Sequence, residues 1–175
     1  MTNRILLAGF GGQGIMTLGQ IVALMAMQLG KQVAWMPSYG AEMRGGTANC
    51  SVVISESPIG NPYVRSNIDI LCALNTPSVD KFLPHIRSGG VIVLNSSIVT
   101  GKIAREDITV TSVDATNIAA QVGNVKAQNM VMLGGLLKAA NLFTIDKVKQ
   151  GLKDLFKDKN PELIPLNLAA VQRGM

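Results

Sequence analysis

The sequence predicts an α/β fold: a three-layer α/β/α sandwich around a mostly parallel, Rossmann-like sheet, formed by residues 1–175 as a single domain. Short apolar strands alternate with amphipathic helices, and polar or glycine-rich turns follow several strands, which is the pattern of this fold class. Hydrophobic residues make up 47% of the chain and charged residues 15%, well below the ~25% charged content of an average domain. We therefore expect partner chains to cover part of its surface.

The first predicted unit consists of a strand at 4–9, a glycine-rich turn, a helix at 14–29 and a strand at 32–36. The helix carries apolar residues at helical spacing, and Gly30 suits the position that follows its last turn. Two strands joined by one helix predict a right-handed crossover between paired parallel strands.

The later elements continue this alternation and are bounded by glycine, proline or capping residues. They are predicted in the following order: a strand at 47–55, a short return strand at 63–65, a strand at 68–74, a helix capped by Thr76 and started by Pro77 that ends at Ser88–Gly90, strands at 91–94 and 108–113, a short helix from Asp114, a helix at 126–140 and a lysine-faced helix from Thr144. Pro161 and Pro165 interrupt the C-terminal tail, so any helix there is expected to be short.

The turn after the first strand is Gly9-Phe10-Gly11-Gly12-Gln13-Gly14, whose spacing matches G-x-G-x-x-G. Glycine is required where the backbone adopts positive φ, or where another group approaches too closely for a Cβ. The helix that follows offers unpaired N–H groups and the positive end of its dipole, which favour an anion. Gly9, Gly11, Gly12, Gln13 and Gly14 are therefore candidate cofactor-binding residues. The alternative is that the glycines only let the strand and the helix pack closely.

Polar or glycine-rich residues also follow three other predicted strands, at Ser38–Gly46, Asn75-Thr76 and Asn95-Ser96. Ligands of open α/β sheets bind at the carboxyl ends of the strands, so these segments and the first turn are expected to form one rim. The alternative for Asn75 and Asn95 is a role in turns and helix capping.

Charged residues are rare around the second glycine-rich segment, where Glu42 and Arg44 stand in a long neutral stretch. The planar guanidinium of Arg44 can bind phosphate or carboxylate; the alternative is an ordinary surface pair with Glu42. No Asp or Glu occurs between Met1 and Ala41. The acidic residue that would hold an NAD ribose is therefore missing from the end of the second strand, which disfavours a nicotinamide dehydrogenase.

No residue is predicted to be catalytic or to bind a metal. Cys50 and Cys72 stand alone in strand-like runs, and the one histidine, His85, lies in a predicted helix, so closely spaced metal ligands are missing. We expect two small buried thiols. The chain has seven aromatic residues, and they form no cluster among the lysines of residues 138–159, which disfavours nucleic-acid binding. No apolar run reaches the ~20 residues of a membrane span, and no signal peptide is evident, so the expected location is the cytoplasm.

Taken together, the two glycine-rich segments resemble the gamma subunit of 2-oxoacid:ferredoxin (or acceptor) oxidoreductases. Gly9–Gly14 and Pro37–Gly46 carry most of the resemblance, and Asn95-Ser96 and Lys126–Met130 are similar to two further motifs of the family. The resemblance covers nearly the whole chain, and its second motif is most similar to the 2-oxoglutarate branch. It implies cofactor-binding candidates beside the glycine turn: Ser38, Tyr39, Gly40, Glu42, Arg44, Gly45, Gly46, Asn95 and Asn129.

The resemblance implies a subunit of a larger enzyme. It implies alpha, beta and delta (ferredoxin-like) partner subunits, and in this family other subunits hold thiamine diphosphate, magnesium and iron–sulfur clusters. The complex oxidatively decarboxylates a 2-oxoacid to the acyl-CoA thioester. The gamma chain alone is expected to bind none of these cofactors, while its loops line the approach of coenzyme A. The alternative function is a free-standing nucleotide- or NAD(P)-binding Rossmann-like protein, which would work without larger partner chains.

Overall fold

The computed structural model describes residues 2–38, 47–158 and 160–175, which build a six-stranded mixed sheet with α-helices on both faces. The strands are β1 (Thr2–Phe10), β2 (Gln32–Ser38), β3 (Thr47–Ser55), β4 (Ile68–Ala73), β5 (Ile86–Asn95) and β6 (Thr109–Val113). The α-helices are α1 (Ile15–Gln28), α2 (Thr76–Phe82), α3 (Ala115–Gln121), α4 (Gln128–Ala140), α5 (Ile145–Phe156) and α6 (Leu163–Gly174). The predicted α/β class is confirmed.

The strand order is β2-β3-β1-β4-β5-β6. The strands β1, β4, β5 and β6 are parallel, whereas β3 is antiparallel to both of its neighbours. The predicted direct pairing of the first two strands is therefore wrong, because β3 lies between them. The side chains of β3 are buried on both faces of the sheet, as those of Val52 and Val53 show. An apolar strand of this kind stabilises the sheet best in an interior position, which leaves the half-buried β2 at the edge.

The helices divide unequally between the two faces of the sheet. On the first face, α1 and α4 pack on the strands, with α5 and α6 packed against them, and this face contains the larger hydrophobic cluster. On the second face, α2 packs on β1 and β4, and the smaller cluster there is completed by loop residues such as Val64 and Val99. The three predicted layers are present, but the second face of the sheet is covered largely by loops.

Three predicted elements are corrected around α2. Residues 63–65 form no strand; Val64 is buried, and its N–H donates to Ser51 Oγ over 3.0 Å instead of to a strand partner. The cap of α2 is Asn75 rather than Thr76, because the Asn75 carboxamide oxygen accepts the Ser78 N–H over 2.9 Å. The helix ends at Phe82, before Pro84, and Ser88–Gly90 belong to β5. Proline cannot continue a helix, since it lacks the N–H that the next turn needs.

The C-terminal helix α6 is longer than predicted, at 12 residues. Pro165 lies in its first turn, where the backbone N–H has no intrahelical partner to lose. The helix packs closely on α4, because a Cβ added to Gly134 would lie 2.1 Å from the carbonyl oxygen of Val171. This contact between distant segments stabilises a helix that the two prolines disfavour locally.

Candidate functional site

The glycine turn lies at the carboxyl end of β1, beside the carboxyl ends of β4 and β5. Two of its glycines adopt the left-handed backbone, with φ of 91° at Gly12 and 75° at Gly14. Gly9 lies inside the strand, where an added Cβ would approach Gln13 Oε1 to 2.7 Å. The predicted need for glycine is therefore confirmed at these three positions. Gly11 is exposed.

The side chain of Gln13 closes the turn on itself. Its carboxamide oxygen accepts the N–H of Phe10 over 2.6 Å. The same oxygen accepts the Nδ2 of Asn75 over 3.4 Å, so the turn is also joined to the end of β4. Asn75 is fully buried and caps α2 at the same time. Asn75 thus fills the capping role that was its alternative, while a part in ligand binding at the rim stays a prediction.

Asn129 holds the glycine turn from the other side. It lies near the start of α4, is 6% exposed, and donates its Nδ2 to the carbonyl oxygen of Gly14 over 3.1 Å. A Cβ added to Gly14 would lie 2.3 Å from that nitrogen. Gly14 therefore serves two purposes: it permits the left-handed backbone and it leaves room for Asn129. The structure places this candidate residue directly against the turn.

Helix α1 begins at this turn without a side-chain cap. The first N–H groups of a helix carry partial positive charge and have no intrahelical partners, so they can bind an anion. Gly12 and Gly11, which precede them, are exposed. The turn therefore combines accessible backbone with a helix N-terminus whose position is fixed by Gln13 and Asn129.

Asn95 ends β5 as a fully buried side chain. Its carboxamide oxygen accepts the N–H groups of Ser97 and Ala115, each over 3.2 Å, and its Nδ2 donates to Thr116 Oγ1 over 3.1 Å. These bonds join the end of β5 to the start of α3. Asn95 therefore has a structural role in this part of the rim, while its contact with a cofactor stays a prediction.

The second glycine-rich segment contributes Ser38 to the described rim, as an exposed residue at the end of β2. The candidates Tyr39, Gly40, Glu42, Arg44, Gly45 and Gly46 lie outside the described residues. The described rim is held together by backbone groups and uncharged carboxamides, so its positive electrostatic potential comes from N–H dipoles.

Cys50 and Cys72 are buried free thiols, as predicted. They lie on β3 and β4, each opposite Leu7 of the intervening β1, so their Cα atoms are about 10 Å apart and too distant for a disulfide. Burial raises the pKa of each thiol to about 12, which keeps both protonated at neutral pH. Within residues 2–38, 47–158 and 160–175, no cluster of three metal-binding side chains occurs. No described helix is long and apolar enough to cross a membrane.

The fold and this rim can be compared with those of known proteins. The family model for pyruvate ferredoxin/flavodoxin oxidoreductase matches residues 4–175. The chain belongs to this family. Its match includes the glycine turn, the Asn75 cap and Asn129, so the whole described rim lies within the family's domain.

Curated relatives of the family are similar over nearly the whole chain. The ketoisovalerate oxidoreductase subunit VorA of Methanothermobacter thermautotrophicus is 37% identical over 98% of this chain. This chain spans about a third (35%) of that relative's length. The 2-oxoglutarate synthase subunit KorC of Methanocaldococcus jannaschii is 34% identical over 99% of this chain and 92% of its own length.

Two solved structures of the family have the same fold. The gamma subunit of a keto/oxoacid ferredoxin oxidoreductase from Geobacter sulfurreducens superposes with a TM-score of 0.82 at 29% identity, covering 98% of this chain and 95% of its own. The 2-oxoglutarate:ferredoxin oxidoreductase of Magnetococcus marinus, solved with 2-oxoglutarate, coenzyme A and succinyl-CoA bound, superposes with a TM-score of 0.86 at 26% identity. That match covers 99% of this chain and 30% of the other chain.

Proposed function

We propose that this chain is the gamma subunit of a 2-oxoacid:ferredoxin (acceptor) oxidoreductase that oxidatively decarboxylates 2-oxoglutarate to its coenzyme A thioester. The observation that carries the proposal is the family match over residues 4–175, supported by the Geobacter gamma subunit, which is similar over nearly its full length. The relative KorC and the Magnetococcus enzyme support 2-oxoglutarate as the substrate. The VorA relative makes 2-oxoisovalerate the competing substrate.

The partners we propose are the alpha, beta and delta subunits of the same complex. Magnesium and iron–sulfur clusters would be held by partner subunits, since they need groups of metal ligands that the described residues of this chain do not assemble. Thiamine diphosphate would lie beside its magnesium ion in a partner subunit. The two thiols are buried on separate strands, so they are unsuited to a shared cluster. The chain's own contribution would be a wall of the site where the acyl group meets coenzyme A.

The glycine turn and the N-terminus of α1 would bind phosphate groups of coenzyme A. Exposed glycines allow close approach, and the uncapped helix supplies N–H donors and a favourable dipole. Gln13 and Asn129 would keep those donors in place. Arg44 and the other candidates of Ser38–Gly46 would complete the wall, with the guanidinium paired to a phosphate.

The direct experiment is to purify the native assembly through an affinity tag on this chain. Acceptor reduction is then measured with 2-oxoglutarate, 2-oxoisovalerate and pyruvate, each with and without coenzyme A. We expect larger chains carrying thiamine diphosphate and clusters to co-purify, and 2-oxoglutarate to give the highest kcat/KM. A chain that purified alone and oxidised a substrate with NAD(P) would contradict the proposal. Preference for 2-oxoisovalerate would contradict only the substrate.

The role of Arg44 is tested by Arg44→Ala in that assembly. Hydrogen bonds to charged groups contribute ~1.5–3 kcal/mol, so the KM for coenzyme A should rise about tenfold or more, with the KM for the 2-oxoacid much less changed. Lys149→Ala, on the exposed side of α5, is the matched control and should leave both constants unchanged. If the variant instead assembled poorly but had a normal KM for coenzyme A, Arg44 would support the structure or a neighbouring subunit.

A further inference from the structure

A second concave site lies at the opposite end of the strands from the glycine turn. It is a cleft of about 660 Å³ beside the start of β1 and the end of β3, closed on its outer side by residues 58–67. Arg4, the lining residue on β1 that lies nearest to the turn, precedes Gly9 by five residues, so about 17 Å of strand separates the cleft from the glycine turn. The floor of the cleft therefore lies apart from the glycine turn, at the other end of β1.

The register of β1 and β3 brings the lining residues together. Thr2 pairs with Ser55, and Arg4 pairs with Val53, on the second face of the sheet. The hydroxyl oxygens of Thr2 and Ser55 are hydrogen-bonded to each other over 2.9 Å. These side chains form the floor of the cleft, beyond the point where α2 covers the sheet.

Hydrogen bonds and a buried side chain hold residues 58–67 over this floor. Val64 is buried and donates its N–H to Ser51 Oγ over 3.0 Å. Tyr63 donates its N–H to Asn61 Oδ1 over 3.0 Å, which tightens the turn before it. Tyr63 and Arg65, on either side of the Val64 anchor, both line the cleft. Its outer wall is thus a loop fixed to the sheet.

Two arginines, Arg4 and Arg65, line the cleft, and none of its described lining residues is acidic. The carboxylate nearest to Arg4 is Asp69, which accepts Arg87 Nε on one oxygen and the backbone N–H of Arg4, over 2.7 Å, on the other. The guanidinium of Arg4 comes no closer to Asp69 than 3.8 Å. Asp69 is therefore neutralised mainly by Arg87, which leaves most of the guanidinium donors of Arg4 for the cleft.

Arg65 has no ion pair with any described carboxylate within 4 Å. Its guanidinium carbon lies 5.6 Å from the ring centroid of Tyr63, and that tyrosine is 50% exposed. Stacking on an aromatic ring orients a guanidinium without using its N–H donors. The cleft thus presents two guanidinium groups, from Arg4 and Arg65, and the partly exposed ring of Tyr63.

We propose that this cleft binds a small phosphate-bearing anion. Its volume lies within the ~300–1,000 Å³ range of small-molecule sites and exceeds the needs of a single inorganic ion. Guanidinium groups pair with phosphate in bidentate geometry. The hydroxyls of Thr2 and Ser55 share one O–H between them, so this pair adds one further donor. Tyr63 offers its ring to a nucleobase when the phosphate is part of a nucleotide. The floor residues Thr2, Arg4 and Ser55 do not belong to the rim, whereas Tyr63 and Arg65 also line a smaller pocket beside Ser38. The variant Arg4→Gln therefore tests the inference independently of the proposed function.

The test is titration of the full chain with pyrophosphate, ADP and citrate, followed by calorimetry and by amide NMR shifts. We expect saturable binding of pyrophosphate and ADP that moves the amides of residues 2–4, 55 and 65–67. Citrate should bind at least tenfold more weakly. Tighter binding of ADP than of pyrophosphate would identify a nucleotide as the ligand, and equal binding an inorganic or sugar phosphate; both outcomes support the proposal.

The matched variants are Arg4→Gln and Arg65→Gln, with Arg173→Gln on α6 as the control for lost charge. Each cleft variant should weaken pyrophosphate binding about tenfold or more, since each removes a charge-assisted donor pair, while the control should bind like the parent. Arg4→Gln keeps the backbone N–H that Asp69 needs, so it should fold normally. The proposal is overturned if pyrophosphate does not saturate by about 10 mM, if citrate binds equally well, if shifts occur only at Gly11–Gly14, or if Arg65→Gln binds as tightly as the parent.

Discussion

The two ends of strand β1 are stabilised by different kinds of interaction. The end at the glycine turn is called here the carboxyl edge, and the end at Thr2 the amino edge. At the carboxyl edge, the buried carboxamides of Asn75 and Asn129 bind to Gln13 and to the backbone of Gly14. At the amino edge, Asp69 is surrounded by two arginines that are each about half exposed. Buried neutral hydrogen bonds fix geometry closely, whereas partly exposed charges contribute less and adjust to a ligand. The comparison predicts that substitutions at the carboxyl edge destabilise the protein more.

The largest effect is expected from Gly14→Val. The new side chain would meet both a left-handed backbone and the Nδ2 of Asn129 at 2.3 Å, so the free energy of unfolding should fall by about 3 kcal/mol or more. Urea unfolding followed by circular dichroism measures this change.

Gly12→Val is the matched control for the Gly14 variant. Gly12 also has positive φ, but no atom lies within 4 Å of the position that a Cβ would take there, so only backbone strain of about 1–2 kcal/mol is expected. Equal losses for the two variants would show that Asn129 moves away without cost, and that the carboxyl edge is less rigid than the geometry indicates.

An intermediate effect is expected from Asn75→Ala. The substitution removes the cap of α2 and the link to Gln13 from a fully buried position, which should cost about 2 kcal/mol of stability. The control at the amino edge is Asn61→Ala, which removes a similar side-chain bond to a backbone N–H from an exposed turn. Its cost should be at most about 0.5 kcal/mol. A reversal of this order would contradict the comparison.

The smallest effect is expected from Arg87→Gln at the amino edge. Arg87 is about half exposed, and the N–H of Arg4 would still bind Asp69. The free energy of unfolding should therefore fall by about 1 kcal/mol, and by less in high salt. Thermal melts at low and high ionic strength measure both properties. A loss of 3 kcal/mol or more would mean that Asp69 depends on Arg87 alone and that Arg4 does not compensate.

The cysteines and the glycines of the first turn illustrate what could be predicted from local sequence. Positive φ at Gly12 and Gly14 follows from the strand–turn–helix pattern, because few other residues adopt that backbone without strain. Burial of Cys50 and Cys72 follows from the apolar strands that contain them. Thr76 was predicted to cap α2, whereas the cap is Asn75, for which capping was the alternative role; an Asn just before Thr-Pro is itself a capping signal.

Other errors arose where distant segments compete with local preference. Pro161 and Pro165 predict a short C-terminal helix, yet α6 runs for 12 residues because Gly134 lets it lie close against α4. The contact between Asn129 and Gly14, which spans 115 positions in the chain, was not predicted either, while cofactor binding by Asn129 stays a prediction. Hydrophobic periodicity carries no information about such contacts.

The sequence by itself determined the α/β class, the strands of the core and the turn where glycine is indispensable. These features depend on hydrophobic periodicity and on backbone preferences, which act over a few neighbouring residues. Only the tertiary structure decided that β3 lies between β1 and β2, that Asn129 holds Gly14, and that Arg87 contacts the Asp69 carboxylate more closely than the guanidinium of Arg4 does. The reason is physical: strand order and side-chain partners are set by the packing of distant segments, and the same local pattern is compatible with several arrangements.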